Sequence, residues 1–546
     1  VFNKEFKRLK SSTVEVDENF NPLFTRKLGY VPGDYFTVFG PSACHNGKLY
    51  ANDAHGMVGA IRRLTAKRLP EAEGEHELLR ENQFRNMRKD TWGNLAMYIS
   101  NLQQKIRNIL SSVTVDECVL RNMWADQPHE KRALRQRTRL EMYSDPPVRP
   151  TGMYKKYVGY KVKTYEVLED GKYVRGIADL TPPASTRLGY YIDYVKEAFS
   201  QPYITRDLYA EFVKAPELDK LTDVFEKLIN PPSNIYFAYF SDDASLSVRC
   251  SDGIFYSDSD ISKSDGSQYQ PVFDVLQEIM DIDSRFTKDI IATFLQLSQP
   301  LCAYNPENMK EKLIFISILG SRLFSGSTLT TMVNNIANLL IALRFSEMYR
   351  ISLTIAEVQA LYTACAREIG YIVRLKPTTV VQKLSFLKHF PAYNIKGQLE
   401  PVLLPGVLLR AFGKCKGDVP GSGKTPLHQR FRQFNSELAI SMKNAGESSI
   451  LAAFRTHILE SHGTYKQGFL GEKLASETHA NATSGISAFG TIKRDWISND
   501  QFMARYDLLE YQIDELCWYI SNTPVGQAYR CDASDAMLSM DYSYGQ

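Results

Sequence analysis

The stretch Tyr236-Phe-Ala-Tyr-Phe-Ser241-Asp242-Asp243-Ala-Ser-Leu-Ser-Val-Arg-Cys250 sets two adjacent carboxylates between an aromatic-rich run and an alternating one. Alternation of apolar with small polar residues reads as a β-strand, and the break at Ser241-Asp242-Asp243 reads as a hairpin tip. A tight turn puts both aspartates at the open end of a sheet, within reach of a divalent cation. Paired carboxylates that hold hard cations are common equipment for phosphoryl transfer. The plainer reading is a surface hairpin with an ordinary Ser-Asp-Asp turn. The tripeptide alone does not separate the two.

A second acidic element follows: Ser257-Asp258-Ser259-Asp260-Ile261-Ser262-Lys263-Ser264-Asp265-Gly266-Ser267-Gln268. Seven residues (244–250) lead away from Asp243, Ser251-Asp252-Gly253 can turn, and seven (254–260) lead back. If both arms are strands paired with each other, Asp260 returns level with Asp243, about 5 Å away. Asp242, Asp243 and Asp260 then gather without any long-range assumption. Either strand pairing elsewhere is the open alternative.

The 546 residues allow about three to four domain-sized units. Hydrophobic residues at 44% and charged residues at 23% are ordinary for a soluble globular protein. A net charge of +3 excludes a polycation, yet basic residues bunch at Arg62, Arg63, Lys67 and Arg68 and again at Lys131, Arg132, Arg135, Arg137 and Arg139. Such clusters hold phosphates or form solvated helix faces. The eight cysteines include no Cys-x-x-Cys, which argues against a zinc module or disulfide scaffold and fits a reducing compartment. No run approaches the ~20 apolar residues of a membrane span, and the start lacks a signal-peptide core. A chain that opens on Val1 is expected to be a piece of something longer.

Working outward, residues 1–60 are loop-rich and 75–140 carry helical patterning. The segment Tyr160–Ile177, with Glu169-Asp170-Gly171 at its centre, predicts a hairpin presenting Lys163, Lys172 and Arg175. A hairpin with solvated charges is the plainer meaning, and a basic platform for a triphosphate is the functional one. Apolar spacing predicts one helix over 271–299. Phe324-Ser325-Gly326-Ser327-Thr328-Leu329-Thr330 opens a long helix to about Arg344, with Ser327 as N-cap and Thr330 and Asn334 on one face. Glu368–Pro377 reads as strand then turn, Gln382–Pro391 as a short strand, and the chain beyond 392 as mainly helical. Gly421-Ser-Gly423-Lys424-Thr425 imitates a phosphate-binding loop, but Asp418 stands where that pattern needs its first glycine.

Taken together, these segments resemble a viral RNA-dependent RNA polymerase. Asp260-x4-Asp265 is similar to that family's motif A, and Ser325-Gly326-x3-Thr330-x3-Asn334 to its motif B. Lys163, Glu166, Lys172 and Arg175 resemble motif F, Lys376 the motif D lysine, and Leu384–Phe390 the motif E strand; Gly56–Arg63 is similar to motif G. No Asp occurs from 290 to 417, so the metal-binding pair of motif C can only be Asp242-Asp243, upstream of motif A. That C–A–B order resembles the permuted polymerases of permutotetraviruses and, next, birnaviruses.

The resemblance implies an α+β right-hand fold with fingers, palm and thumb and an antiparallel palm sheet. It implies an N-terminal extension over 1–60, fingers over 61–234, a permuted palm over 235–391 and a helical thumb with tail over 392–546. Asp242, Asp243 and Asp260 would bind two Mg²⁺ or Mn²⁺ ions, and Lys376 would act as general acid. Lys163, Lys172, Arg175, Asp265, Ser325, Gly326, Thr330 and Asn334 would bind the nucleotide. Implied partners are template and nascent RNA, nucleoside triphosphates, and a protein primer or other replication proteins. The implied location is a replication complex in the host cytoplasm, or the virion. A reverse transcriptase and a catalytically inactive scaffold are the alternatives carried alongside.

Overall fold

The structure, a computed structural model, describes residues 70–87, 93–124, 156–161, 175–180, 182–214, 218–299, 301–304, 313–316, 321–412, 445–461, 494–523 and 529–542. It begins with α1 (Pro70–Asn86), α2 (Gly93–Leu110) and α3 (Val115–Trp124). In α2 the buried residues Leu95, Tyr98, Ile99, Leu102 and Ile106 recur every three or four positions, which makes one core-facing stripe.

Strands β1 (Lys156–Lys161) and β2 (Arg175–Leu180) pair antiparallel with Lys161 opposite Arg175, as the expected hairpin requires. Lys163, Glu166 and Lys172, the Gly56–Arg63 stretch and the 421–425 turn lie outside the described residues. Next come α4 (Pro182–Gly189), α5 (Ile192–Phe199), β3 (Tyr203–Ile204), β4 (Leu208–Phe212), α6 (Leu218–Ile229) and β5 (Ile235–Phe240). Strands β6 (Asp243–Cys250) and β7 (Gly253–Ile261) follow.

The helix expected over 271–299 is two, α7 (Gln270–Met280) and α8 (Thr287–Leu295). Asp281 leaves helical geometry at ψ 68°, and Asp283 accepts from the Arg285 amide at 3.0 Å. An aspartate bonding its own backbone two residues on competes with helix continuation. Strands β8 (Leu301–Tyr304) and β9 (Leu313–Ile316) join β1 and β2 in a four-stranded sheet.

Helix α9 (Thr330–Met348) is buried on nearly every side. It starts after the expected cap: Leu329 is the N-cap, and the Ser327 hydroxyl accepts instead from the Leu329 amide in the preceding turn, at 3.3 Å. Helix α10 (Ile355–Glu368) opens on a Thr354–Glu357 capping box. Its C-cap, Ile369, is followed by Gly370 at φ +95°, the left-handed position that commonly closes a helix with glycine. Strand β10 (Val373–Thr378) therefore begins later than the sequence suggested, and it continues through Pro377. Proline is tolerated there because β10 is an edge strand.

The six-stranded sheet has the order β10-β7-β6-β5-β4-β3. It is not wholly antiparallel: β4 and β5 run parallel, joined through α6. Strands β3 and β4 also extend the sheet to the N-terminal side of residue 235. Strand β5 is buried on both faces. Ile235, Phe237 and Tyr239 enter the larger core, while Tyr236 and Ala238 enter a smaller one with α6 residues and Leu384, Phe386 and Leu387.

Beyond 392 the described chain is mainly helical, as expected. The hairpin β11 (His389–Tyr393) and β12 (Leu399–Leu403) leads to α11 (Pro405–Phe412), α12 (Ser449–Ser461), α13 (Asn499–Tyr506), α14 (Glu510–Asn522) and α15 (Asp532–Tyr542). These elements share their own core. The molecule is thus α+β. Among the described residues no helix is long and apolar enough to cross a membrane, and the six cysteines are free thiols.

Candidate active site

The β5–β6 hairpin pairs Phe240 with Asp243, leaving Ser241 and Asp242 as its tip. Ser241 has φ +56°, a left-handed conformation that hairpin turns favour in glycine. Helix α9 holds it there. The Ser241 amide donates to Asn335 Oδ1 at 2.6 Å, and its carbonyl accepts from Asn338 Nδ2 at 2.7 Å. Its hydroxyl accepts from Asn334 Nδ2 at 3.4 Å. The three asparagines are 2%, 0% and 0% exposed in chain order. Asn335 Nδ2 and Asn338 Oδ1 are buried without partners, a cost borne while both residues grip the tip.

On the next strand Asp260 stands directly opposite Asp243, in the register expected from the two seven-residue arms. On its other side Asp260 faces Arg374 of β10, and Asp258 faces Lys376. Asp243 and Asp260 keep water-accessible surface within a recess crowded by protein. Crowding and the charge of Asp242 raise both above the ordinary carboxylate range. Lys388 opposes the rise at Asp243, and Arg374, Lys376 and Lys388 oppose it at Asp260. Lys376 is exposed, and its Nζ donates to the Met540 carbonyl at 3.4 Å.

Two residues before Asp260, Asp258 lies on the same sheet face. Its Oδ1 accepts from the Ser385 amide and the Ser245 hydroxyl, each at 3.1 Å. Its Oδ2 accepts from the Ser385 hydroxyl at 2.6 Å. Asp258 thereby pins the segment that leads into Leu387 and Lys388, both at positive φ.

Asp265 and Asn334 meet: Asn334 Nδ2 donates to Asp265 Oδ1 at 3.2 Å. Thr330, Ser325 and Gly326 serve the loop before α9. The Thr330 hydroxyl donates to the Phe324 carbonyl at 2.9 Å, and the Ser325 carbonyl accepts from the Ala178 amide at 2.9 Å. A Cβ on Gly326 would stand 2.4 Å from the Ala178 carbonyl oxygen, so the loop is seated on β2. Arg175 begins β2 at the register position opposite Lys161.

The carboxylates supply oxygen donors suited to a hard divalent cation. Lys388, Arg374 and Lys376 offset their charge only in part, and such a cation would offset the rest. Among the described residues no group of three His, Cys, Asp or Glu is arranged to hold a metal ion. The register therefore gathers Asp243 and Asp260 without building a closed three-carboxylate cage.

Asn335, Asn338, Asp258, Arg374, Lys388, Gln268 and Tyr371 escaped the reading of the sequence. One signal was available: Asn334-Asn335-x-x-Asn338 interrupts an otherwise apolar helix, and buried amides require partners.

No protein-family model matches the chain, and no curated protein matches it. Among solved structures it is similar to the birnavirus VP1–VP3 complex, at 8% identity and a TM-score of 0.38, over 67% of this chain and 48% of that one. It is also similar to the RNA polymerase VP1 from Infectious Pancreatic Necrosis Virus, at 8% identity and a TM-score of 0.39, over 98% and 72% respectively. The chain thus spans about half the length of the first of these.

Proposed function

We propose that the chain is an RNA-directed RNA polymerase of the permuted viral type, joining ribonucleoside triphosphates on an RNA template. The observation that carries this reading is the Asp243–Asp260 register beside a rigidly held Ser241-Asp242 tip. In chain order the tip precedes Asp260, and both precede the Ser325–Asn334 segment, which is the permuted arrangement.

Asp242, Asp243 and Asp260 would hold Mg²⁺ or Mn²⁺ together with substrate oxygens. When bound, the two ions would supply charge stabilisation for the attacking 3′-oxygen and the leaving pyrophosphate. The remaining work belongs to the protein's own side chains. Asp265 and Asn334 form an acceptor–donor pair suited to a ribose hydroxyl. Lys163, Lys172 and Arg175 would steady the triphosphate, and Ser325, Gly326 and Thr330 would shape the loop beside the template. Lys376 Nζ would pass a proton to the departing pyrophosphate. Arg374 and Lys388 add positive charge around the carboxylates and work against the upward pKa shift of Asp260.

Primer extension on an RNA template with NTPs and Mg²⁺ or Mn²⁺ tests the reading. Asp242→Ala and Asp260→Ala should each lower extension by about a hundredfold or more, the scale of losing one electrostatic contact to a transition state. Undiminished extension by both variants would overturn it.

A further inference from the structure

Asn334 is the junction of a buried hydrogen-bond chain that the reaction as described leaves unexplained. Its Nδ2 donates to Asp265 Oδ1 at 3.2 Å, and its Oδ1 accepts from Ser264 Oγ at 2.9 Å and Gln268 Nε2 at 3.2 Å. Gln268 Oε1 in turn accepts from the Tyr371 hydroxyl at 2.7 Å. Asn334 and Gln268 are each 2% exposed and Tyr371 is fully buried.

The chain has one direction. An ionised carboxylate only accepts, so Asn334 must turn its nitrogen toward Asp265 and its oxygen away. That oxygen needs donors. The Ser264 and Tyr371 hydroxyls can each rotate to donate or accept, so Asp265 sets the direction and the Gln268 amide carries it, its nitrogen facing Asn334 and its oxygen facing Tyr371. Bonds aligned head to tail in a dry interior reinforce one another.

We propose that Gln268 and Tyr371 are positioning residues for sugar selectivity. With Asp265 setting the direction, they brace the Asn334 amide in the one orientation that lets Asp265 accept from, and Asn334 donate to, the 2′-hydroxyl of a ribonucleoside triphosphate. A flipped Asn334 would set a carbonyl beside the Asp265 carboxylate, and the hydroxyl would meet acceptors alone. The inference rests on the reading of Asp265 and Asn334 as the ribose-facing pair.

The test compares full-length wild type, Asn334→Ala, Tyr371→Phe and the double variant Gln268→Met with Tyr371→Phe. The double variant removes both partners of one buried bond and keeps their bulk, so no polar group is orphaned between them. Two measurements are made: the ratio of kcat/KM for NTP over dNTP in primer extension, and calorimetric binding of Mn²⁺-GTP against Mn²⁺-dGTP. The double variant should lose NTP preference by about tenfold and Tyr371→Phe by a smaller factor, the NTP values falling more than the dNTP values. Equal losses for both sugars in the double variant, alongside a collapsed preference in Asn334→Ala, would overturn the inference alone. A preference unaltered in Asn334→Ala, or absent from the wild type, would overturn the ribose-facing reading and the inference with it.

Discussion

Ser241 occupies a backbone conformation that costs a residue with a Cβ about 1–2 kcal/mol. The grip of Asn335 and Asn338 on its two flanking peptides is what makes that conformation persist. Removing the Asn335 acceptor strips a part-buried amide of its partner, a loss toward the low end of about 1–3 kcal/mol. Asn335→Ala should therefore speed amide hydrogen exchange across residues 236–246. The same change should cost less in a Ser241→Gly background, because glycine needs no clamp at positive φ. Equal effects in the two backgrounds would mean that the clamp does not act on strain. Lys156 makes a second prediction at this scale. It is 3% exposed, donates to the Gln296 carbonyl and lies 5.0 Å from the Phe324 ring centre. Burial lowers its pKa to about 7 from the 10.5 of the free side chain. Below pH 7 folded and unfolded chains are both protonated, and the buried charge costs on the order of 5 kcal/mol at about 1.4 kcal/mol per pKa unit. Between about 7 and 10.5 the unfolded chain binds the extra proton, so stability rises with pH and the cost fades. Lys156→Met should thus raise the thermal midpoint most at pH 6.5, with the difference shrinking by pH 9.5. A pH-independent difference would show that the amine carries no burial penalty.

Among the elements, the β6–β7 hairpin was legible because all its determinants are local. Two seven-residue arms about a short turn allow few registers, and the one that pairs Asp243 with Asp260 also keeps the apolar set on one face. Strand β10 was not legible in the same way. Its pairing with β7 joins residues more than 110 positions apart, and nothing near Arg374 in the sequence signals that Asp260 lies across from it. Helix α9 falls between these cases. Its Ser325–Asn334 pattern was readable, yet the hold of Asn335 and Asn338 on Ser241 spans 94 and 97 residues. The loop before α9 illustrates how such elements are seated. Gly326 combines φ +96° with an approach so close that an added Cβ would meet the Ala178 oxygen at 2.4 Å. Gly326→Ala should push the loop off β2 and lower both thermal midpoint and nucleotide addition. Gly189→Ala, whose Cβ would find nothing nearer than 3.9 Å, is the matched control. Comparable losses in both variants would show that close seating on β2 is not what the glycine provides.

At the scale of the molecule, a buried ion pair links the C-terminal core to the acidic site. Arg505 and Asp541 meet at 3.1 Å with side chains 2% and 0% exposed. Asp541 also accepts from the Tyr506 hydroxyl at 2.8 Å and the Gly406 amide at 3.0 Å. Arg505 donates onward to the carbonyls of Gln382 and Leu384, at 2.9 and 3.0 Å. The next residue, Ser385, is the one that grips Asp258, two positions from Asp260. Helix α15 is thus connected to the carboxylate strand through an unbroken run of short polar contacts. Asp541→Asn keeps the shape and removes the charge, leaving Arg505 buried beside a neutral amide. Breaking a buried pair from one side costs about 3–5 kcal/mol. Because the contacts run through 382–385, the cost should appear there and in α13 and α15 as faster hydrogen exchange, with β5 and β6 unchanged. Lys388 follows directly on that segment, so the variant should also weaken nucleotide addition without touching any carboxylate of the site. Faster exchange spread evenly over β5, β6 and the C-terminal helices would instead mean that the two cores open as one unit, and the pair would then be a general staple and not a specific tether to the site.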